Sequence, residues 1–402
     1  MKRSAIQILF SAGYRVFFLA AGVFAILTML IWEGYLAIHA VGGMVTGLPV
    51  GVPPHLWHGH EMIFGYGSAA VAGFLLTAAP NWTNTRSAPT RFFAVASALW
   101  LVGRLAMWWG GSLPPLLVAV ADLSFLPVVG GSIGALLIKR FKPRQFIIVA
   151  VIAVLWLSSL LMHLEWVGVT QDTADLGLRA GLMTLAALIT ILGGRVTPAF
   201  TRNAMVRTGR EDRHPETPMP LAAISIAAVL LATIAKIAGL PDELCGVFAV
   251  VGGVTGLARL ALWRGGWTVG QPILWTLHLS YGMNALGLIL LGLAWLGAGS
   301  EVAALHFLGI GGIGGMTLSV MSRAAIGHAG RALVAPRPVA LAYALVPAAA
   351  VVRYAGSTLP DLYFSAVLAA GAIWIAAFVL YVAAMWPIFW TEKTRPTPNA
   401  PV

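Results

Sequence analysis

The chain has 402 residues, of which 59% are hydrophobic and 10% charged, with a formal net charge of +11 and a mean hydropathy of +0.86. A soluble domain is about half apolar and about a quarter charged, so an ordinary soluble enzyme and a disordered chain are excluded. A nucleic-acid-binding protein is excluded too, despite the basic balance. The single cysteine, Cys245, removes any internal disulfide, CxxC metal site or CxxCH haem attachment. A metal or cofactor must therefore be held by His, Met, carboxylate or backbone groups.

A membrane-crossing helix takes about 20 mostly apolar residues. Runs of that kind lie near 14–38, 58–79, 91–109, 115–138, 145–163 and 177–198, and again near 219–239, 243–263, 271–297, 302–326, 338–354 and 361–388. The sequence thus predicts an all-α integral membrane protein with twelve transmembrane helices, as one domain over 1–390 with a short Pro-rich tail over 391–402. The first run is too long for a signal peptide and has no cleavage-site pattern. With the N-terminus in the cytoplasm, the basic residues of the loops (Arg86, Lys139, Arg140, Arg207, Arg264 and Arg331 among them) fall on the inner side. The outer loops between the predicted helix ends carry no Lys or Arg. That asymmetry orients the chain with both termini inside and explains the net charge as a topology signal beside anionic lipid.

A faint repeat has a period of four helices. The second, sixth and tenth runs end in FLLTAAPNWT (74–83), GGRVTPAFTR (193–202) and GGMTLSVMSR (314–323), each with small residues, then Thr, then a polar exit. The pattern favours three four-helix units over two six-helix halves.

Ionisable residues inside a membrane are costly, so each is a functional candidate. Six of the nine histidines, His39, His55, His58, His60, His163 and His306, lie toward the outer side, together with Glu33, Glu61, Asp122, Glu165 and Glu301. The densest stretch is PPHLWHGHEMIF (53–64). Neutral imidazole is a common metal and haem ligand, and these six histidines are the candidate metal ligands. On a helix His58 and His60 point about 200° apart, so one haem cannot take both. His306 is the natural partner of His58 for a haem, and the glycine-rich 309–315 after it permits close approach of a second helix or of a flat macrocycle. Arg104 needs an anionic partner, a haem propionate or a carboxylate such as Asp122. Glu33, Glu61 and Asp122 are candidates for a proton relay. His278, about two turns inside the ninth run, suits either a buried hydrogen-bonded role or a quinone or second metal site. The inner group Arg195, Arg259, Arg323 and His328 reads mainly as helix-end anchoring.

Trp57, His58, Gly59, His60, Glu61 and Met62, followed by Ala79, Pro80, Asn81 and Trp82, resemble the NnrS family. So do Gly193 to Arg202, Leu277–His278–Leu279, Ser322–Arg323–Ala324–Ala325 and Gly327 to Arg331. The resemblance implies a twelve-helix protein of the bacterial inner membrane that carries haem and copper and acts in the response to nitric oxide, in denitrification or nitrosative-stress defence. A fainter resemblance links His58, Gly59, Met62 and Phe64 to the HGxxMxF stretch of haem–copper oxidases, whose twelve helices form three four-helix arcs. It implies haem b ligated by that His and a partner on the tenth helix. The copper-site histidines of those enzymes, on helices 6 and 7, have no counterpart here. A copper ion would instead take the outer group His39, His55, His60 and His163.

The expected function is a membrane haem and copper protein that binds nitric oxide or reduces it with quinol as electron donor, with haem, nitric oxide and membrane lipid as partners and no nucleic acid. A twelve-helix transporter of copper or another metal ion is the alternative.

Overall fold

A computed structural model describes residues 4–210 and 212–394, the side chains of Arg144 and Pro360 excepted. Most of the expected tail, from residue 395 onward, lies outside the described residues. The described residues contain helices and no strand.

Twelve helices are long and apolar enough to cross a membrane. They are α1 Gly13–Ala40, α2 Pro54–Thr83, α3 Thr90–Trp108, α4 Pro115–Lys139, α5 Phe146–Trp166 and α6 Ala174–Arg207. They continue as α7 Met219–Ile237, α8 Asp242–Ala261, α9 Pro272–Trp295, α10 Glu301–His328, α11 Arg337–Thr358 and α12 Tyr363–Trp390. The observed ends differ from the expected ones mainly at α2, which starts at Pro54, and at α6, which runs on to Arg207. Pro54 is tolerated at the first helical turn because its missing N–H has no intrahelical partner to lose. The early start places His55, His58 and His60 all on helix. Asn84, with φ of 49°, ends α2 in the left-handed conformation.

The chain forms two compact units. One is Met1–Gly181 with Met385–Lys393, and the other is Leu182–Ala384 with Thr394–Val402. Within the first, the Arg15 guanidinium donates to the carbonyls of Ile388, Phe389 and Thr391 at 2.7, 3.1 and 2.7 Å. Those carbonyls belong to a helix end, where no i+4 N–H remains to bond them.

Three helices depart from α geometry in the same way. Wide i→i+5 turns occupy Glu61–Gly67 in α2, Ile189–Gly193 in α6 and Phe307–Gly314 in α10. They recur every fourth helix, the period seen in the end motifs. Such turns misalign backbone groups, and here side chains take up nearby carbonyls. In α2 the Trp100 indole N–H donates to Gly65 O at 3.0 Å, and the Ser68 hydroxyl to Phe64 O. In α6 Arg259 donates to Thr190 O at 3.2 Å and Gly194 O at 3.3 Å. In α10 the Thr317 hydroxyl donates to Ile313 O at 2.7 Å and Gly314 O at 3.0 Å.

Candidate metal centre

The wide turn of α2 begins at Glu61, one residue after His60. The two adjacent side chains are fully buried, with His60 at 0% and Glu61 at 1% exposure. α3 brings Arg104, α4 brings Asp122, and α5 brings Ser159 and His163, which share a face at i, i+4 spacing. All lie in the first unit. Gly65 leaves room for the Arg104 guanidinium: a Cβ there would stand 3.1 Å from Arg104 Nη1 and 3.2 Å from Glu61 Oε2.

Arg104 bridges two carboxylates. Its Nη1 meets Glu61 Oε1 at 2.6 Å, and its Nη2 pairs with Asp122 Oδ1. The other Asp122 oxygen, Oδ2, lies 3.2 Å from His60 Nε2, 2.9 Å from His163 Nε2 and 3.2 Å from Ser159 Oγ. His60 Nδ1 lies 2.9 Å from Glu61 Oε1. The two imidazole rings sit 5.5 Å apart, edge to face, and Trp166 closes over both.

Charge balance makes this geometry informative. Glu61 and Asp122 bring two negative charges, and Arg104 brings one positive. Neutral His60 has one N–H for two facing carboxylates. With Nδ1–H donating to Glu61, the Nε2 lone pair would face a carboxylate oxygen. One further positive charge is therefore required between His60 and Asp122, since an uncompensated charge buried in a membrane costs several kcal/mol. It is a proton, on His60, on His163 or on a carboxyl oxygen, or it is a metal cation. The donor set suits a metal: one ligand atom each from His60, Asp122 and His163 lies within 4.8 Å of the others. The Glu61 contact to His60 Nδ1 is the carboxylate–histidine arrangement that turns the other nitrogen toward a metal. Beside the group, Phe64, Leu123, Phe125, Leu126 and Trp156 line a cavity of about 10 Å³ that also touches Arg104, Asp122 and Ser159. It holds about one water-sized molecule.

The other expected site residues lie elsewhere. His58, on the opposite side of α2 from His60, stacks on Trp32 at 4.5 Å. His39 packs against Tyr35 at 4.5 Å, and His55 is exposed. Neither is in the three-residue donor group. Glu33 is a partly exposed residue of α1. In the second unit, His306 immediately precedes the wide turn of α10. Its Nδ1 donates to Val302 O at 2.7 Å, and its Nε2 faces Arg353 Nη2 at 3.5 Å. The glycines after His306 are occupied by close packing. A Cβ at Gly312 would meet Asn284 at 2.8 Å and one at Gly315 would meet Ser280 at 2.6 Å, while Gly311 and Gly314 abut Met283 and Trp374. A Cβ at Gly309, nearest His306, would meet only Leu182 at 3.6 Å, and the second ring nitrogen of His306 is turned to a guanidinium. His278 is buried, and its Nε2 lies 2.9 Å from Thr201 Oγ1. That hydroxyl donates to Thr197 O at 3.0 Å, so His278 donates to it.

Three contributors were not singled out from the sequence. Ser159 was findable as the residue four before His163. Trp100 and Gly65 had none, because one serves as a backbone donor and the other as an empty volume.

The chain belongs to the NnrS family. The family model, described as NnrS protein, matches residues 8–393. No curated protein matches the chain. Membership fits a protein of the nitric oxide response and suggests a bound metal or haem. The twelve apolar helices make it a multi-pass membrane protein.

Proposed function

We propose that this protein is a membrane metalloprotein that binds nitric oxide at a transition-metal ion held by His60, His163 and Asp122. The observation that carries the proposal is the missing positive charge among two buried carboxylates, one arginine and two convergent imidazoles. Imidazole with one carboxylate suits copper, zinc or iron, and copper is the ion we assign, in keeping with the resemblance. A copper ion there would supply a binding position for nitric oxide and one-electron exchange. The protein's own groups do the rest. Glu61 fixes the His60 ring, Arg104 holds both carboxylates in place, and the small cavity beside Asp122 leaves room for about one small molecule.

The setting we propose is the bacterial inner membrane with both termini cytoplasmic, in denitrification or nitrosative-stress defence. Reductive coupling of two nitric oxide molecules consumes two electrons and two protons and yields nitrous oxide and water. Quinol in the same bilayer is the donor we assign for that turnover, with Glu33, Glu61 and Asp122 as the proton-carrying candidates. Haem b is not needed for this reading, which rests on the His60, His163 and Asp122 group alone.

The test is metal analysis and spectroscopy of the protein purified in detergent and reconstituted with copper. The expectation is one copper per chain, a copper electron-paramagnetic signal changed by nitric oxide, and loss of that copper in His163→Ala. Protein that stays free of copper, zinc and iron at a saturating supply of each would refute the metal and leave a proton on His60, His163 or a carboxyl oxygen as the source of the charge. A Soret band at one haem per chain, lost in His306→Ala, would bring haem b into the reading.

A further inference from the structure

The described residues contain five buried arginines, Arg15, Arg104, Arg259, Arg323 and Arg353. Four have hydrogen-bonded guanidinium groups. Arg15 caps helix-end carbonyls, and Arg104 bridges carboxylates. Arg259 bonds two carbonyls and the Tyr281 hydroxyl, and Arg353 bonds Ser357. Arg323 differs. Its side chain is 5% exposed and its guanidinium carbon lies 4.3 Å from the Phe200 ring centre, yet it has no hydrogen bond or ion pair among the described residues.

The guanidinium is not sealed away. None of its nitrogens is among the fully buried polar atoms that lack partners, so they reach open space. The ring covers one face of the planar group, leaving its five N–H donors at the edge. Tyr343 lies within electrostatic reach, but its hydroxyl, 2.6 Å from Ser322 Oγ, makes no hydrogen bond to Arg323. Arg207, on the same end of α6 as Phe200, lies within electrostatic reach and adds a second positive charge. A cation that is largely buried, has no carboxylate partner and is backed by another cation is a costly arrangement that an anion at its open edge would relieve. Cation–π contact alone returns only about 0.5–2 kcal/mol.

We infer that Arg323, seated on Phe200 and supported by Arg207, binds a phosphate-type oxyanion at the basic end of α6 and α10. The planar fork matches two oxygens of one phosphate. The source is either the headgroup of an anionic phospholipid or a free phosphate in the adjoining aqueous phase. The inference is independent of the metal centre, since every residue in it belongs to the second unit.

The experiment uses the full chain in lipid nanodiscs and reads the thermal unfolding midpoint. Discs of phosphatidylcholine are compared with discs containing phosphatidylglycerol, and inorganic phosphate is titrated into the phosphatidylcholine discs. A higher midpoint with phosphatidylglycerol assigns the lipid, and one that rises with phosphate assigns the free anion. In Arg323→Gln the response falls about tenfold or more in apparent affinity, while stability in zwitterionic phosphatidylcholine without added phosphate is equal to or above that of the unsubstituted chain. Arg323→Lys keeps the charge without the fork and shows an intermediate response. Neither anion raising the midpoint, or Arg323→Gln responding like the unsubstituted chain, overturns the inference. So does Arg323→Gln being destabilised equally in all discs, which would make Arg323 a packing residue.

Discussion

Arg104 in the first unit and Arg259 in the second face the same difficulty, a guanidinium placed among apolar helices, and the protein answers it differently. Arg104 is met by two carboxylates, which overcompensate it and leave lone pairs directed at two histidines. Arg259 is met by two backbone carbonyls of the α6 turn and a tyrosine hydroxyl 2.9 Å away, under the rings of Trp263 and Tyr281. The first solution makes a negatively charged pocket that calls for a cation. The second makes a fixed strut, since neutral dipoles satisfy N–H groups without offering ligands. A buried arginine therefore does not itself mark a reactive site. The surplus or deficit of charge around it does.

Substitutions can break this contrast, and the largest effect belongs to Arg104. Arg104→Ala leaves Glu61 and Asp122 buried without their cation and is expected to cost about 3–5 kcal/mol. It would appear as a large fall in unfolding midpoint and in monodisperse yield. A loss below about 1 kcal/mol would mean that the carboxylates are not charged there. Glu61→Gln keeps all three ligands but weakens the hold on His60, and copper affinity should fall about 10–100-fold, measured by competition with a chelator of known affinity. Unchanged affinity would remove Glu61 from its orienting role.

On the other side of the contrast, Arg259→Met strips donors from two carbonyls and a hydroxyl. Its expected cost is about 1–3 kcal/mol, read from denaturation, with copper content untouched. Copper lost alongside stability would erase the distinction between site and strut. The smallest effect is expected of Thr201→Val. It removes the acceptor from His278 and should cost about 1 kcal/mol with no change in any metal signal.

The sequence showed the helices and the cast of the metal centre, but not the grouping. Helices were legible because apolar runs of sufficient length have no other structure available in a bilayer. His60, Glu61, Arg104, Asp122 and His163 each stood out as ionisable residues in such runs. That His60 and His163 converge on Asp122 depends on how α2, α4 and α5 pack, which no spacing within one helix encodes. The HGHE stretch exposes the limit most clearly. Helical geometry separates His58 from His60, yet the sequence cannot tell which faces the interior. His58 drew attention through its likeness to a haem ligand, while His60 is the residue the fold encloses. The glycine run after His306 left two readings open for a related reason. Glycine records that something comes close, and here it is Met283, Asn284, Ser280 and Trp374.

The link from Arg15 to the carbonyls of Ile388, Phe389 and Thr391 has a consequence for the order in which the protein is made. The first unit, with the metal centre, takes in Met385–Lys393, which leave the ribosome after nearly all the rest. Until then Arg15 sits among inserted helices without its three acceptors. The unit that begins first thus waits for a segment made only after the main body of the second, Leu182–Ala384, and a chain cut short before α12 ends would reach the membrane with its opening helix still unfastened.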